Sequence, residues 1–135
     1  MPLGHPNPAR RWNALVVDDE AAIRLTLSAI LEMNRLTVQT AASASHACQL
    51  LIQEAFDIVI TDLKMESDTA GFAVAEFAAK RYPNLKTIIV SAYPKLAVDW
   101  RSHGAHAFIQ KPTETHELLR VIDALLSRRT ASGAP

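Results

Sequence analysis

The stretch FDIVITD, residues 56–62, is an apolar run that ends in a carboxylate, Asp62. Successive Val and Ile residues are typical of a strand buried on both faces of a parallel sheet. Three other runs also end in polar residues: ALVV at 14–17 precedes Asp18 and Asp19, TIIV at 87–90 precedes Ser91, and AFIQ at 107–110 precedes Lys111. The carboxyl ends of parallel strands form the ligand-binding edge of an open α/β sheet. We therefore expect these polar side chains to gather at one edge.

The order of the predicted elements indicates the fold class. A fifth strand-like run, 36–41, alternates between apolar and polar residues, as an edge strand does. Helical spacing of apolar residues follows each strand, at about 22–31, 44–55, 72–78, 96–103 and 118–126. Five successive strand–helix units predict an α/β fold with a five-stranded parallel sheet and helices on both faces. We expect Ser43 or Ser45 to cap the second helix, and a threonine, 113 or 115, to cap the fifth.

Length, composition and charge limit the functions open to the chain. Its 135 residues suit one domain, and 14 basic residues balance 14 acidic ones, which predicts no direct binding to nucleic acid or to an anionic membrane. No apolar run reaches the roughly 18 residues that a membrane-spanning helix needs. A single cysteine, Cys48, excludes an internal disulfide and fits a reducing, cytoplasmic location. We expect a flexible N-terminal arm at 1–12, a domain at 13–128 and a flexible tail at 129–135.

Three carboxylates, Asp18, Asp19 and Asp62, converge if the first and third strands are neighbours. Their repulsion costs free energy, and a hard divalent cation such as Mg²⁺ removes that cost while it binds carboxylate, carbonyl and water oxygens. Lys111 would add a positive charge, and Ser91 would add a hydroxyl donor. Such groups around one carboxylate stabilise the oxygens of a phosphoryl group in transfer. The pattern predicts that Asp62 is a nucleophile that forms an acyl phosphate.

Each of these features also has an explanation that involves no chemistry. Adjacent Asp residues after a strand commonly form a turn or cap a helix. A serine at the end of a strand is commonly a cap, and a Lys-Pro pair commonly belongs to a surface loop. Four such groups in this order at four strand ends are a much rarer combination, which favours the functional interpretation.

Four motifs resemble the receiver domain of bacterial two-component response regulators. They are VVDDE at 16–20, ITDLKM at 60–65, VSA at 90–92 and FIQKP at 108–112, and the resemblance covers about residues 12–128. It implies a flavodoxin-like fold with strand order 2-1-3-4-5. It also implies that Asp62 accepts a phosphoryl group from the phosphohistidine of a sensor histidine kinase or a histidine phosphotransferase.

The resemblance further implies a metal site beside this phosphoacceptor. Mg²⁺, or Mn²⁺, would be bound directly by Asp19 and Asp62, largely through water by Asp18, and by the backbone carbonyl of Lys64.

The resemblance also assigns contacts to the phosphoryl group and a route for the response. Ser91 and Lys111 would contact the phosphoryl oxygens, and the bond before Pro112 is characteristically cis in the family. When Ser91 moves towards the phosphoryl group, Phe108 would turn inward into the space beneath the fourth strand. We expect this movement to alter the face made by the fourth helix, fifth strand and fifth helix. That face would carry some of Lys95, Arg101, His103, His106 and Arg120, and Trp100 would add an apolar anchor if it is exposed.

The sequence departs from the family pattern in three places. Glu66 stands where a proline is usual, and Gly71, which opens the third helix, comes one residue later than usual. The stretch 91–104 is short for a loop followed by a full fourth helix. These departures bear on the timing of the reaction and on the recognition surface, and they leave the phosphorylation residues in place.

Two other functions compete with a phosphorylated receiver, which would be no enzyme beyond modest auto-phosphorylation and auto-dephosphorylation. Haloacid-dehalogenase-like phosphohydrolases need a second Asp two residues after the nucleophile, but position 64 is Lys. A receiver-like interaction module that works without phosphorylation is opposed by the intact set of site residues. No output domain follows the fifth helix, so we expect contact with a downstream protein or a second copy, or else an output domain missing from this chain.

Overall fold

Five parallel strands form a sheet that helices cover on both faces. The structure is a computed structural model that describes residues 3–94 and 99–133, with side chains described as far as residue 127. The strands are β1 Trp12–Val17, β2 Leu36–Ala41, β3 Ile58–Asp62, β4 Lys86–Ser91 and β5 Ala107–Gln110. The helices are α1 Ala21–Met33, α2 Ala44–Gln53, α3 Ala70–Arg81 and α4 Thr115–Gly133, and Arg101–His103 form a 3-10 turn. The strand order β2-β1-β3-β4-β5 confirms the predicted flavodoxin-like topology.

Alternate residues of the central strands supply the two sides of the core. In β1, Ala14 and Val16 pack with residues of α1 and α4. The alternate residues of the same strand, Leu15 and Val17, pack with residues of α2 and α3. All four side chains are buried, because a parallel sheet between two helical layers has no face turned to water. This is why the strands read as nearly continuous apolar runs.

Polar side chains mark where the helices begin. Ser43 accepts a hydrogen bond from the His46 N–H of α2 at 3.1 Å, so it is the predicted serine that forms the cap. Helix α4 is capped by Glu114 and by neither of the predicted threonines. The carboxylate of Glu114 accepts from the N–H groups of His116 and Glu117, both at 3.0 Å. A carboxylate is favoured there because it meets the positive end of the helix dipole. The His116 N–H accordingly holds the pKa of Glu114 below its usual value.

The predicted fourth helix, 96–103, differs from the observed backbone. Residues 95–98 lie outside the described residues, and within 99–103 the backbone forms only the 3-10 turn. The turn ends at Gly104, as predicted, and the φ of 87° at this residue is the left-handed conformation that glycine adopts after a helix. Trp100, which precedes the turn, is buried and covers this part of the sheet.

Parts of the predicted arm and of the predicted tail have defined structure among the described residues. Leu3 is buried in the core, and its N–H donates to the carbonyl of Asn34 at 3.1 Å. Nε1 of Trp12 donates to the carbonyl of Gly4 at 2.8 Å, so the start of the predicted arm packs against α1 and β1. Helix α4 runs through most of the predicted tail to Gly133, since no earlier proline or glycine interrupts it. Among the described residues, no helix combines the length and apolar character that a bilayer-crossing segment needs.

Candidate functional site

The sheet brings the predicted site residues to one edge. Asp62 is the last residue of β3 and Ser91 is the last residue of β4, while Asp18 directly follows β1 and Lys111 directly follows β5. These four strands are parallel neighbours in the order β1-β3-β4-β5. Their carboxyl ends therefore meet, and the four side chains converge as the sequence predicts.

Lys111 lies between two buried carboxylates. Its Nζ is 3.4 Å from Oδ2 of Asp62 and 3.8 Å from Oδ2 of Asp18. Asp62 is only 8% exposed and Asp18 only 3%. Burial raises the pKa of both carboxyl groups, and the charge of Lys111 opposes this rise. The edge of the sheet thus holds two carboxylates that lack hydration and share one ammonium group.

Backbone N–H groups orient both carboxylates in the same way. Oδ1 of Asp62 accepts from the N–H of Leu63, and Oδ1 of Asp18 accepts from the N–H of Glu20, both at 2.9 Å. In each residue the second oxygen, Oδ2, is then the one directed at the ammonium group of Lys111. The two oxygens of Asp62 therefore differ, since one is held by the backbone and the other faces the centre of the site.

Ser91 is buried at the same edge and is linked to Lys111 through the backbone. The N–H of Lys111 donates to the carbonyl of Ser91 at 2.8 Å, and Oγ of Ser91 accepts from the N–H of Tyr93 at 3.1 Å. The Lys111–Pro112 peptide bond is cis, the isomer that the resemblance implies. A cavity of about 550 Å³ opens here, and Asp62, Ser91 and Lys111 line it.

The acidic run after β1 forms a compact group of oxygens. Asp18, Asp19 and Glu20 each place one carboxylate oxygen within 4.8 Å of the others. Asp62 faces the same cavity but does not belong to this group. Glu20 was not among the predicted ligands, although the three successive acidic residues were visible in the sequence. Carboxylate oxygens at this spacing beside a buried carboxylate are a donor set that fits a hard divalent cation.

The loop after Asp62 is held by two residues whose roles the sequence does not reveal. Gly71 donates its N–H to the carbonyl of Leu63 at 2.8 Å, and a Cβ at Gly71 would lie only 2.3 Å from the carbonyl oxygen of Asp62. Glu66 reaches away from the site to the N–H of Ala44, at the start of α2. The later glycine and the missing proline thus belong to one rearranged loop.

Aromatic residues pack beneath the 3-10 turn. Phe108 is 3% exposed, and its ring centroid is 6.5 Å from that of Trp100, which is 6% exposed. The guanidinium of Arg101 lies 4.1 Å from the centroid of the Trp100 ring. Phe108 is therefore buried in this structure.

The predicted response face is only partly described. Lys95 lies outside the described residues, whereas Arg101 and Arg120 are exposed. His106 has an exposed surface, but the Nδ1 side of its ring is turned inward and accepts from the N–H of Thr87 at 3.0 Å. His103 joins the 3-10 turn to α3, because its ring stacks on Phe72 with the centroids 3.8 Å apart and its Nδ1 is 2.5 Å from Oε2 of Glu76.

A second cavity, of about 370 Å³, reaches the same carboxylates from the side of the sheet that carries α1 and α4. Most of its lining is apolar, with Ile23 and Leu27 from α1 and Leu118 from α4, and Asp62 and Lys111 also line it. The phosphoacceptor candidate is thus reachable from two directions.

Comparison with known proteins agrees with this geometry. The sequence pattern of a family described as the response regulator receiver domain matches residues 14–123. The response regulator protein PilR of Pseudomonas aeruginosa is 31% identical over 121 residues, which are 88% of this chain and 27% of PilR. The regulatory protein AlgB of the same organism is 34% identical over 111 residues, which are 81% of this chain and 24% of AlgB. The chain spans about a quarter of the length of these curated relatives.

Solved structures of similar size share the fold. A CheY-like response regulator receiver domain protein from Methanospirillum hungatei has a TM-score of 0.84 and 32% identity, over 91% of this chain and 99% of that one. TrrA from Thermotoga maritima, solved in complex with Mg²⁺-BeF, has a TM-score of 0.77 and 30% identity, over 85% of this chain and 99% of that one. Family match, relatives and fold agree, and the chain belongs to the response regulator receiver domain family.

Proposed function

We propose that this receiver domain is a Mg²⁺-dependent phosphoacceptor in which Asp62 receives a phosphoryl group from a phosphohistidine. The observation that carries the proposal is the position of the Lys111 ammonium, 3.4 Å from Oδ2 of Asp62 at a cavity that opens to solvent. One oxygen of this buried carboxylate has no backbone bond and faces the Lys111 ammonium, which suits nucleophilic attack on phosphorus. A role in packing alone would not require this arrangement.

The transfer uses the two oxygens of Asp62 differently. Oδ1 stays bonded to the N–H of Leu63, which fixes the carboxylate plane. Oδ2 forms a bond to phosphorus while the phosphorus–nitrogen bond of the phosphohistidine breaks, and the imidazole leaves with that electron pair. Lys111 then lies next to the new acyl phosphate and offsets part of its negative charge.

We infer that Asp18, Asp19 and Glu20 supply carboxylates for Mg²⁺, or Mn²⁺, together with Asp62 and the backbone carbonyl of Lys64. The bound cation would neutralise charge on the phosphoryl oxygens and on the acidic side chains. The acidic oxygens within 4.8 Å of one another support this assignment, as does the raised pKa of Asp18 and Asp62, which burial causes. The complex of TrrA with Mg²⁺-BeF supports such a site in a relative.

The response would begin at Ser91. Its Oγ accepts from the N–H of Tyr93, and its O–H can donate to a phosphoryl oxygen at the same time. If the side chain moves towards the phosphoryl group, this bond would pull on the backbone at Tyr93 or lengthen. The segment after Ser91 leads to Trp100, which packs on Phe108, so a change at Tyr93 has a covalent route to these aromatic residues. We infer that the signal leaves through this face to a downstream protein, to a second copy or to an output domain.

The phosphohistidine would come from a sensor histidine kinase or a histidine phosphotransferase. The largely apolar cavity between α1 and α4, which Asp62 also lines, supports docking of that partner on this side. The matched stretch makes up only 27% of PilR and 24% of AlgB, which supports an output region as one recipient of the signal.

Labelling with a small phosphodonor tests the phosphoacceptor assignment. Acetyl phosphate with Mg²⁺ should add one phosphoryl group, seen by intact mass, and either Asp62→Asn or a chelator should abolish the addition. Asp123→Asn, on the exposed surface of α4, is the matched control and should be labelled like the parent. Undiminished labelling of Asp62→Asn refutes the assignment, and a parent protein that takes no label favours a module that works without phosphorylation.

A further inference from the structure

Glu66 connects the loop after Asp62 to a different helix. Its two carboxylate oxygens lie 3.1 and 3.0 Å from the backbone nitrogen of Ala44, the first residue of α2. Helix α2 has no acidic residue in its own first turn. Two residues further along, the N–H of His46 donates to Oγ of Ser43 at 3.1 Å. Glu66 and Ser43 therefore divide the N-terminal N–H groups of α2 between them.

The rest of this loop has few other attachments to the domain. Lys64, Ser67, Asp68 and Thr69 are all exposed, and the ion pair of Lys64 with Asp68, at 3.7 Å, lies in solvent and contributes little. Met65 packs at the edge of the core between α2 and α3. Backbone bonds join both ends of the loop to the start of α3, where Gly71 donates to Leu63 and Phe72 donates to Thr69. The bond of Glu66 to Ala44 ties the middle of the loop to a second helix, α2.

Position 66 also lacks the backbone restraint that a proline would supply. A proline fixes φ through its ring, whereas a glutamate leaves the backbone free. A side chain bonded to a charged helix end restrains the loop by a different means, because the helix dipole favours a carboxylate at this end.

We propose that Glu66 is a positioning residue for the cation site, which holds the Asp62 loop in the conformation that presents the backbone carbonyl of Lys64. This inference rests on the proposed function, because it needs the cation site. Glu66 itself lies outside the site and acts through Lys64, two residues earlier in the chain. Without the bond to Ala44, the loop would have to be ordered when the cation binds, and that entropic cost would weaken binding.

Ser43 provides the control that separates positioning from helix stability. Ser43→Ala and Glu66→Ala each remove one side-chain acceptor from the same end of α2, so both should lower the melting temperature by a few degrees. Only Glu66 ties that helix to the loop. Glu66→Gln keeps an acceptor oxygen without the charge and should lie between the parent and Glu66→Ala.

Calorimetric titration with Mg²⁺ alone is the test. Glu66→Ala should raise the Kd for Mg²⁺ about tenfold, as the loss of a group that orients a metal ligand does. Ser43→Ala should stay within about twofold of the parent. Hydrogen exchange of the metal-free protein gives a second measure. The amides of residues 64–70 should exchange faster in Glu66→Ala than in the parent, and at the parent's rate in Ser43→Ala.

The outcomes separate the two proposals. If the parent binds Mg²⁺ and both Ala variants weaken binding equally, or neither does, Glu66 is only a helix cap and this inference is overturned. If the parent binds no Mg²⁺, the proposed cation site fails and the inference fails with it.

Discussion

Replacing Gly71 by Ala should distort the phosphoacceptor loop. A Cβ at Gly71 would lie 2.3 Å from the carbonyl oxygen of Asp62 and 2.8 Å from Cα of Leu63, closer than the 3.0 Å that Cβ atoms keep. Both obstacles are backbone atoms, so no side chain can turn away, and the cost should be near 3 kcal/mol, roughly the upper end for overpacking. Alanine regains about 1 kcal/mol in helix propensity. The free energy of unfolding should therefore fall by about 2 kcal/mol, or about 8 °C in melting temperature.

Urea denaturation followed by circular dichroism measures this change directly. Gly4→Ala is the matched control, because a Cβ there meets no atom within 4 Å, and it should stay within about 0.5 kcal/mol of the parent. Labelling by acetyl phosphate per folded molecule should also fall in Gly71→Ala, since the Asp62 peptide must move. Equal stability of the two variants would show that α3 can shift freely against β3 and would refute the reasoning.

Three further changes test other parts of the structure. Asp19→Asn should remove the gain in melting temperature that Mg²⁺ gives the parent, and an undiminished gain would place the cation elsewhere. Burial lowers the pKa of His106 from its ordinary value of 6.5. As the pH falls below 6.5, the unfolded chain therefore binds a proton at this residue more readily than the folded chain does, and the free energy of unfolding should decrease. His106→Gln should flatten this decline in a series of melting curves, and His46→Gln, at an exposed site, should leave it unchanged. Trp100→Ala should lower the free energy of unfolding by about 3 kcal/mol, whereas Tyr93→Ala, which is exposed, should change it by about 0.5 kcal/mol or less.

The residues that the sequence predicted best are those whose positions depend on strand periodicity. Asp18, Asp62, Ser91 and Lys111 each follow an apolar run, and a parallel sheet brings such residues to one edge whatever the loops do. The register and the side of the sheet follow from the same apolar pattern. These are local properties of the chain, so they can be predicted without knowing which distant segments touch.

The features that the sequence did not predict depend on contacts between distant segments or on small choices of backbone angle. Glu66 meets Ala44 across 22 positions, and no periodic signal links two loops. The cap of α4 is Glu114 because the helix begins at Thr115, and a shift of one residue would have favoured a threonine. The burial of Leu3 beside prolines and a glycine gives no pattern that distinguishes it from a disordered arm.

The packing of Trp100 makes the chain its own optical probe. Its indole contacts the guanidinium of Arg101 and packs in one cluster with Phe108 and with Leu63, the residue after the phosphoacceptor candidate. The other indole, Trp12, begins β1 and belongs to a different cluster of the core. Tryptophan emission follows the local electric field, so any rearrangement that moves Arg101 or Phe108 should change the colour and intensity of Trp100 fluorescence. A Trp12→Phe protein would report the response in real time without a dye.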